Sequence, residues 1–301
     1  EMKITTVIAE PNYSPGAIKM YEELGDVYFW FDLSKEEKIN ILPKINVLVV
    51  RLALTVTSEL LDTMPALKII ATSTTGLNHI NMAHAEKAGI AVVSLRGHTE
   101  FLEKITSTAE EAIGLMIALV RNIPWAFDSV KNGQWNPNDW VGRQLFGKTL
   151  GILGLGRLGK MVAAYASAFG MKVIAYDPHV ADEVFARCGV RRATLSELFS
   201  SSDIVSLHPL LTDETKEMIK ETHLKSMRPS AYLINNARAE LIERGALEKA
   251  LKNRWIAGAA VDVLWDEKDD GTHLKDNPLV EYARENKNLI IVPHIGGTTQ
   301  E

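Results

Sequence analysis

The hexapeptide Gly154-Leu155-Gly156-Arg157-Leu158-Gly159 constrains the fold of this 301-residue chain more than any other segment. It follows the apolar run Thr149–Leu153 and precedes the helix-like run Lys160–Phe169, so its three glycines lie where a strand passes into a helix. The first glycine permits a tight turn, the second lets backbone approach a pyrophosphate, and the third allows close helix–strand packing. The helix N-terminus adds free N–H groups. The pattern predicts a dinucleotide site, whereas a glycine-rich turn without ligand is the simpler alternative.

An acid at the end of the next strand favours the dinucleotide site. Asp177 follows the apolar run Lys172–Tyr176, 18 residues after Gly159. A carboxylate there accepts hydrogen bonds from the adenosine ribose hydroxyls and repels a 2′-phosphate. No arginine follows at once, because the next residues are Pro178 and His179. The sequence therefore predicts NAD as the cofactor, in preference to NADP.

Short apolar strands alternate with amphipathic helices along the chain, which is typical of an α/β protein with parallel sheets. We expect two Rossmann-like domains: a doubly wound NAD-binding domain at residues 97–295 and a smaller, flavodoxin-like substrate domain at residues 1–96. Residues 296–301, with a segment beyond them, are expected to complete the substrate domain. The predicted strands are 3–8, 27–30, 47–50, 69–72 and 91–94, then 149–153, 172–176, 204–207, 231–235, 256–261 and 289–292.

A longer helix is predicted from Ser107. Ser107 with Glu110, and Thr108 with Glu111, each fit a capping box. The apolar residues that follow cover more than one face of the helix, which indicates burial between domains or between subunits. We therefore expect a homodimer.

Three polar residues follow predicted strands of the second unit, at the sheet edge where ligands bind in open α/β proteins. They are Arg238, Glu267 and His294. The planar fork of Arg238 can bind a carboxylate and polarise the adjoining carbonyl. His294 can give a proton to the developing alkoxide and take it back in oxidation, while Glu267 orients His294 and stabilises its imidazolium. These residues predict hydride transfer to the C2 carbon of a small 2-keto acid and, in the reverse direction, from that of the 2-hydroxy acid.

With these three residues and the glycine turn, the sequence resembles the D-isomer-specific 2-hydroxyacid dehydrogenases, a family that includes D-lactate, D-glycerate and D-3-phosphoglycerate dehydrogenases. The resemblance covers nearly the whole chain and includes Ser73–Ile80, Gly147–Ile152 and Ser206–Thr215. It implies the same three roles for Arg238, Glu267 and His294.

The resemblance also implies further contacts with cofactor and substrate. Asp262 is expected to contact the nicotinamide carboxamide. Besides residues 154–159 and Asp177, the residues expected to line the cofactor are His208, Pro209, Thr215, Asn236, Ala237, Arg238, Asp262, His294, Gly296 and Gly297. The residues expected to contact the substrate are Arg51, Thr75, Gly76 and Arg238, with Arg51 at its distal end. For Arg51, a solvated charge at the end of a strand is the equal alternative.

Charge and cysteine content exclude other classes of function. The formal net charge of −5 argues against nucleic-acid or anionic-membrane partners. The sequence contains no run of 18 apolar residues, so no transmembrane helix is predicted. Cys188 stands alone, which excludes an intrachain disulfide and favours the cytoplasm. The other histidines show no metal-ligand spacing, so no metal is expected.

Two alternatives use the same scaffold. Formate dehydrogenase relatives pair their catalytic histidine with glutamine, so Glu267 argues against that activity. A non-catalytic NAD-binding regulator can keep the same three residues, so residue identity alone leaves this alternative open.

Overall fold

The computed structural model describes residues 3–51, 54–268 and 270–299, and of Thr99 only the backbone. The chain divides into two compact units, Glu1–Leu102 and Glu103–Glu301. The predicted boundary after residue 96 and the return of residues 296–301 to the first unit stay predictions, and Gln300 and Glu301 lie outside the described residues.

The first unit contains a five-stranded parallel sheet with strand order β2-β1-β3-β4-β5, which is the flavodoxin-like order expected. Its strands are β1 (Ile4–Ile8), β2 (Gly25–Phe29), β3 (Val47–Val50), β4 (Ile69–Thr72) and β5 (Ala91–Val93). Its helices are α1 (Pro15–Glu22), α2 (Lys35–Ile41), α3 (Ser58–Asp62), α4 (Met82–Lys87) and α5 (Thr99–Leu102).

Buried aliphatic side chains hold this first sheet together. All four residues of the central strand β3 are buried, as a parallel strand covered on both faces requires. Side chains of Val7, Leu48 and Ile70 pack in one cluster beneath the helices. Helix α1 begins as predicted, because Ser14 Oγ accepts a hydrogen bond from Ala17 N (3.2 Å).

The second unit contains a seven-stranded parallel sheet with strand order β12-β11-β10-β9-β6-β7-β8. Counted within the unit, this is the 3-2-1-4-5-6 order of a doubly wound nucleotide-binding sheet with one further strand after the sixth. Its strands are β6 (Thr149–Leu153), β7 (Lys172–Tyr176), β8 (Arg191–Arg192), β9 (Ile204–Leu207), β10 (Tyr232–Asn235), β11 (Gly258–Val261) and β12 (Leu289–Ile291). Strand β8 was not predicted, because it has two residues and both are exposed arginines.

Eight helices of the described residues surround this sheet. They are α6 (Ser107–Val120), α7 (Ile123–Lys131), α8 (Arg157–Ala168), α9 (Asp182–Arg187), α10 (Leu195–Ser201), α11 (Glu221–Ser226), α12 (Ala246–Lys252) and α13 (Pro278–Glu285). Among the described residues no single helix is long and apolar enough to cross a membrane, although the bent pair 100–120 and 123–131 meets that test by length and composition.

Helix α6 differs from its prediction at the N-terminus. Its N-cap is Thr106, so both predicted capping boxes are wrong. Thr108 Oγ1 instead donates a hydrogen bond to the carbonyl oxygen of Gly296 (3.0 Å). The helix packs on α8 and on strands β10 to β12, so its apolar faces are covered within the second unit itself.

Candidate active site

The glycine turn between β6 and α8 has the shape that a pyrophosphate requires. Gly154 has φ +87°, and a Cβ there would lie 2.8 Å from Pro209 N and 2.9 Å from the His208 carbonyl carbon. A Cβ on Gly159 would overlap the carbonyl oxygen of Gly154. Gly156, by contrast, has no atom within 4 Å of its Cβ position. The turn is therefore crowded where the backbone packs and open where α8 begins, so it fits an NAD pyrophosphate.

Asp177 holds this turn from the end of β7. Its Oδ2 accepts a hydrogen bond from Leu155 N (2.8 Å), and its Oδ1 accepts one from His179 N (2.9 Å). Arg192, at the end of the edge strand β8, donates to the carbonyl oxygen of Asp177 (3.4 Å) and pairs with Asp182. The carboxylate thus fixes the turn, and it keeps lone pairs for ribose hydroxyls.

The remaining residues near the turn are fixed by the protein itself. His208 Nε2 lies 2.9 Å from Ser206 Oγ, and burial lowers the pKa of His208 to about 4, so the ring is neutral at physiological pH. Thr215 Oγ1 donates to the carbonyl oxygen of Leu210 (2.6 Å) and shapes the loop after β9. Arg157 turns its guanidinium to the carbonyl oxygen of Ile105 (2.6 Å), so only its backbone lies at the start of α8.

Asn235, which the sequence reasoning missed, holds the turn that carries Arg238. Its buried side chain accepts from Ala237 N (3.1 Å) and donates to the carbonyl oxygen of Arg238 (3.0 Å). One Arg238 nitrogen donates to the Ala237 carbonyl oxygen (2.7 Å). Among the described residues the guanidinium makes no other hydrogen bond, so its fork is available to a carboxylate.

His294 and Glu267 form a close pair. His294 Nδ1 lies 2.6 Å from Glu267 Oε2, and the other carboxylate oxygen accepts from Leu264 N (2.6 Å). Their side chains are 25% and 33% exposed, so one side of the pair faces solvent. Since Nδ1 faces the carboxylate, Nε2 is the nitrogen available for proton transfer to a ligand.

Asp262 positions the loop that carries His294, a role that the sequence reasoning did not assign. Its two carboxylate oxygens accept from Ile295 N (2.6 Å) and Gly296 N (2.9 Å). His294 has φ +53°, a left-handed conformation that is unfavourable for a residue other than glycine. The paired hydrogen bonds to the next two residues stabilise this strained backbone. Gly297, beyond them, is exposed.

The charges at this edge of the sheet influence one another. Burial raises the pKa of Glu267, but its hydrogen bond to His294 and the nearby charges of His294 and Arg238 outweigh that effect, and the net pKa lies below the usual value. Burial lowers the pKa of Arg238, while Glu267 and Asp262 oppose the shift. Glu267 therefore stays ionised near neutral pH.

The first unit presents its own predicted residues. Arg51 Nε lies 3.4 Å from Glu10 Oε2, and Arg51 Nη2 donates to the carbonyl oxygen of Pro11 (2.6 Å). The guanidinium carbon of Arg51 lies 5.2 Å from the centre of the Tyr13 ring. Near Thr75, the carbonyl oxygen of Gly76 accepts from Thr74 Oγ1 (2.7 Å). Within the part of the chain that is described, the N–H groups of Thr75 and Gly76 donate to no residue.

Parallel strands bring the predicted residues of the second unit to one edge of its sheet. Arg238, Glu267 and His294 follow the neighbouring strands β10, β11 and β12, and the glycine turn follows β6 in the same sheet. Over residues 3–51, 54–268 and 270–299, no group of three or more histidine, cysteine or acidic side chains could hold a metal ion.

Family models match almost the whole chain. The model described as D-isomer specific 2-hydroxyacid dehydrogenase, NAD binding domain, matches residues 113–296. The model described as the catalytic domain of the same family matches residues 6–124.

Two curated enzymes share more than a third of their aligned residues with this chain. D-3-phosphoglycerate dehydrogenase of Methanocaldococcus jannaschii is 38% identical over 286 residues, which are 95% of this chain and 52% of that protein. The Bacillus subtilis enzyme of the same name is 39% identical over 255 residues, 84% of this chain and 46% of that protein. The chain thus spans about half the length of these relatives.

Solved structures share the fold. D-lactate dehydrogenase from Aquifex aeolicus, complexed with NAD and lactic acid, has a TM-score of 0.81 at 29% identity, over 98% of this chain and 89% of that chain. An acyclic imino acid reductase (Bsp5) in complex with NADPH and D-Arg has the same TM-score of 0.81 at 28% identity, over 99% and 91% of the two chains.

Proposed function

The chain belongs to the D-isomer specific 2-hydroxyacid dehydrogenase family, and we propose that it interconverts a small D-2-hydroxy acid and its 2-keto acid with NAD. The observation that carries this proposal is the 2.6 Å pair of His294 and Glu267 beside the unfilled fork of Arg238. A proton donor and a carboxylate anchor are the two groups that keto-acid reduction requires of the protein.

The residues have distinct tasks in this reaction. NADH, when bound, supplies the hydride that reaches the C2 carbon of the keto acid. The guanidinium of Arg238 binds the substrate carboxylate and draws electron density from the adjoining carbonyl. His294 Nε2–H gives its proton to the carbonyl oxygen as that oxygen becomes a hydroxyl. In the oxidation direction the neutral His294 takes that proton back.

Glu267 stabilises the charged form of His294 through the Nδ1 contact, so that the imidazolium is present when a keto acid is reduced. The Leu264 N–H holds the other oxygen of Glu267 in place. Asp262 holds the left-handed backbone of His294 in place by accepting the N–H groups of the next two residues.

For the cofactor, we propose NAD in preference to NADP because the carboxylate of Asp177, at the end of β7, would repel a 2′-phosphate. Around this cofactor we assign the glycine turn at residues 154–159, together with His208, Pro209 and Thr215 from the loop after β9. In the first unit we assign the free N–H groups of Thr75 and Gly76 to the substrate. Arg51 is assigned to the distal end of the substrate, although Glu10 already pairs with it.

The experiment is a panel of 2-keto acids with NADH, followed by nicotinamide fluorescence. Pyruvate, glyoxylate and hydroxypyruvate test small unphosphorylated substrates, and 3-phosphohydroxypyruvate tests the substrate class that the relatives' names indicate. We expect NADH oxidation with at least one of them, and its loss in His294→Ala. NADH binding without oxidation of NADH by any keto acid would support the non-catalytic regulator instead.

We propose that the protein forms a homodimer through helix α7 and the segment after it. Large apolar side chains are unusually exposed there, although α6 just before them is covered. They are Ile123 (49%), Phe127 (63%), Val130 (51%), Trp135 (85%), Val141 (79%) and Phe146 (71%). Light scattering is expected to give twice the chain mass, and Phe127→Glu is expected to give the monomer mass. A wild-type monomer would contradict the proposal.

We further place the protein in the cytoplasm, because its one cysteine, Cys188, is a free thiol that a reducing compartment would keep reduced. Cell fractionation with an antibody to the chain tests this placement. Recovery in an extracellular fraction would contradict it.

A further inference from the structure

Helix α6 carries one acid, Glu111, toward the loop that bears His294. Glu111 Oε2 accepts a hydrogen bond from Asn236 Nδ2 (3.3 Å), and the same nitrogen donates to the carbonyl oxygen of Thr108 (2.7 Å). Glu111 Oε1 is buried and has no hydrogen-bond partner among the described residues. A buried carboxylate oxygen without a donor is costly, so the neutral, protonated form of the Glu111 carboxyl group is favoured.

Asp262 faces Glu111 across Gly296. A Cβ on Gly296 would overlap Glu111 Oε2 and would lie 3.1 Å from Asp262 Oδ2, so the two carboxyl groups enclose that glycine. Two carboxylates so close and so little solvated do not both ionise at neutral pH. Asp262 accepts two backbone N–H groups, which favour its charge, whereas Glu111 has only the long contact from Asn236. The shared proton therefore resides on Glu111.

Other charges near the pair fit this assignment. Burial and the charge of Asp262 raise the pKa of Glu111 to about 7, although His294 opposes the shift. Burial raises the pKa of Asp262 as well, against the N–H groups of Gly296 and Ile295.

The elements that pack against α6 contribute few other charges. Arg238, after β10, acts on Asp262, and Glu267 acts on His294. Helix α8 brings Arg157, which donates to the carbonyl oxygen of Ile105. Helix α7 carries Asp128 and Lys131, which pair with each other (3.3 Å). Glu111 is thus the charged residue that lies among the buried apolar residues of α6.

We propose that Glu111 is a positioning residue: its protonated carboxyl donates to Asp262 and so holds the strained loop at residues 292–296, with His294, in place. When the proton leaves, two carboxylates repel each other at Gly296, and the loop loses the support that α6 provides. The inference rests on the proposed function only in giving His294 and NADH their roles. The coupling between Glu111 and loop stability stands without them.

The first test compares thermal unfolding of the full chain with that of Glu111→Gln and Glu111→Met between pH 5 and pH 9. The folded-state pKa of Glu111 is raised above its ordinary value of 4.5, so its stabilising contribution is complete below about 4.5 and is lost as pH rises to about 7. Both neutral variants lack this loss. We expect their Tm to rise relative to wild type by roughly 4–8 °C between pH 5 and pH 8.

Glu110→Gln is the matched control, because Glu110 is the preceding residue on α6, is exposed and contacts Thr106. Its Tm difference from wild type is expected to be constant from pH 6 to pH 9. If the difference between wild type and the Glu111 variants is equally constant, the inference is overturned.

The second test measures proton uptake when NADH binds at pH 8, by calorimetry in two buffers of different ionisation enthalpy. We expect NADH to select the protonated form of Glu111, so wild type and Glu110→Gln take up protons on binding, because a carboxyl group with a pKa of about 7 is largely ionised at pH 8. Glu111→Gln and Glu111→Met are expected to take up almost none.

Equal uptake in all four proteins overturns the inference while leaving the proposed function intact. If none of them binds NADH, the proposed function fails, and the unfolding comparison alone decides the role of Glu111.

Discussion

Replacing Glu267 by glutamine tests how strongly this carboxylate supports His294. The two side chains meet at 2.6 Å and are 33% and 25% exposed, so the pair is neither fully buried nor fully solvated. Two unit charges about 4 Å apart near a protein surface interact by roughly 4 kcal/mol. Because solvent reaches both side chains, we take about half of that, or roughly 2 kcal/mol, as the loss in the variant.

This loss affects the two directions of the reaction to different extents. Reduction needs the imidazolium form of His294, and the charge of Glu267 favours that form, so removing the carboxylate weakens reduction more than oxidation. The pKa of Glu267 is lowered, so the wild-type charge is present throughout pH 5 to 9. At neutral pH we expect kcat/KM for reduction to fall by about 30-fold, and kcat/KM for oxidation to fall less.

The assay is kcat/KM in both directions from pH 5 to pH 9. Asp266→Asn is the matched control, because Asp266 is the adjacent acid but pairs with Arg244 (2.7 and 2.9 Å). Its profiles are expected to follow the wild-type profiles. Glu267→Gln profiles that coincide with those of wild type would refute the coupling of Glu267 to His294.

Three other substitutions test separate parts of the account. Arg238→Lys keeps the charge but loses the fork, so kcat/KM is expected to fall by about 100-fold, and a near-normal value would remove Arg238 from the substrate site. Asp177→Ala removes the carboxylate that repels a 2′-phosphate and also the acceptor for Leu155 N. We therefore expect kcat/KM for NADH to fall, and the ratio of kcat/KM for NADH over that for NADPH to fall by roughly tenfold. An unchanged ratio would contradict this. His208→Asn tests acid stability: the pKa of His208 is about 4 in the folded chain, so wild type loses about 3 kcal/mol as pH falls from about 6.5 to 4, and the variant is expected to lose less in urea unfolding. Equal losses in both proteins would count against a neutral imidazole at His208.

The sequence predicted the fold well where one local signal sufficed. Strand β6, the glycine turn and helix α8 follow one another within about 20 residues, and each signal agrees with its neighbours. The strand-end positions of Arg238, Glu267 and His294 follow from the same regularity. Strand β8 has no such signal, because it consists of two exposed arginines and has no apolar residue.

Contacts between distant segments were beyond sequence reasoning. Thr108 was predicted to cap α6, but its hydroxyl binds Gly296, 188 residues later. Glu111 fitted the same capping pattern, and its true neighbour, Asp262, comes from another strand end. Nothing local indicates that Asp262 accepts two N–H groups of the His294 loop, because that pairing exists only once β11 and β12 are side by side.

The most direct test of the account is the fate of a labelled hydride. The protein is incubated with NADH that carries deuterium at both C4 positions and with the most active 2-keto acid of the panel, and the product is analysed by mass spectrometry and chiral chromatography. The account predicts a D-2-hydroxy acid with deuterium at C2, formed one for one with NAD and lost in His294→Ala. An L product, an unlabelled product, or NADH that binds but transfers no hydride to any keto acid would contradict it.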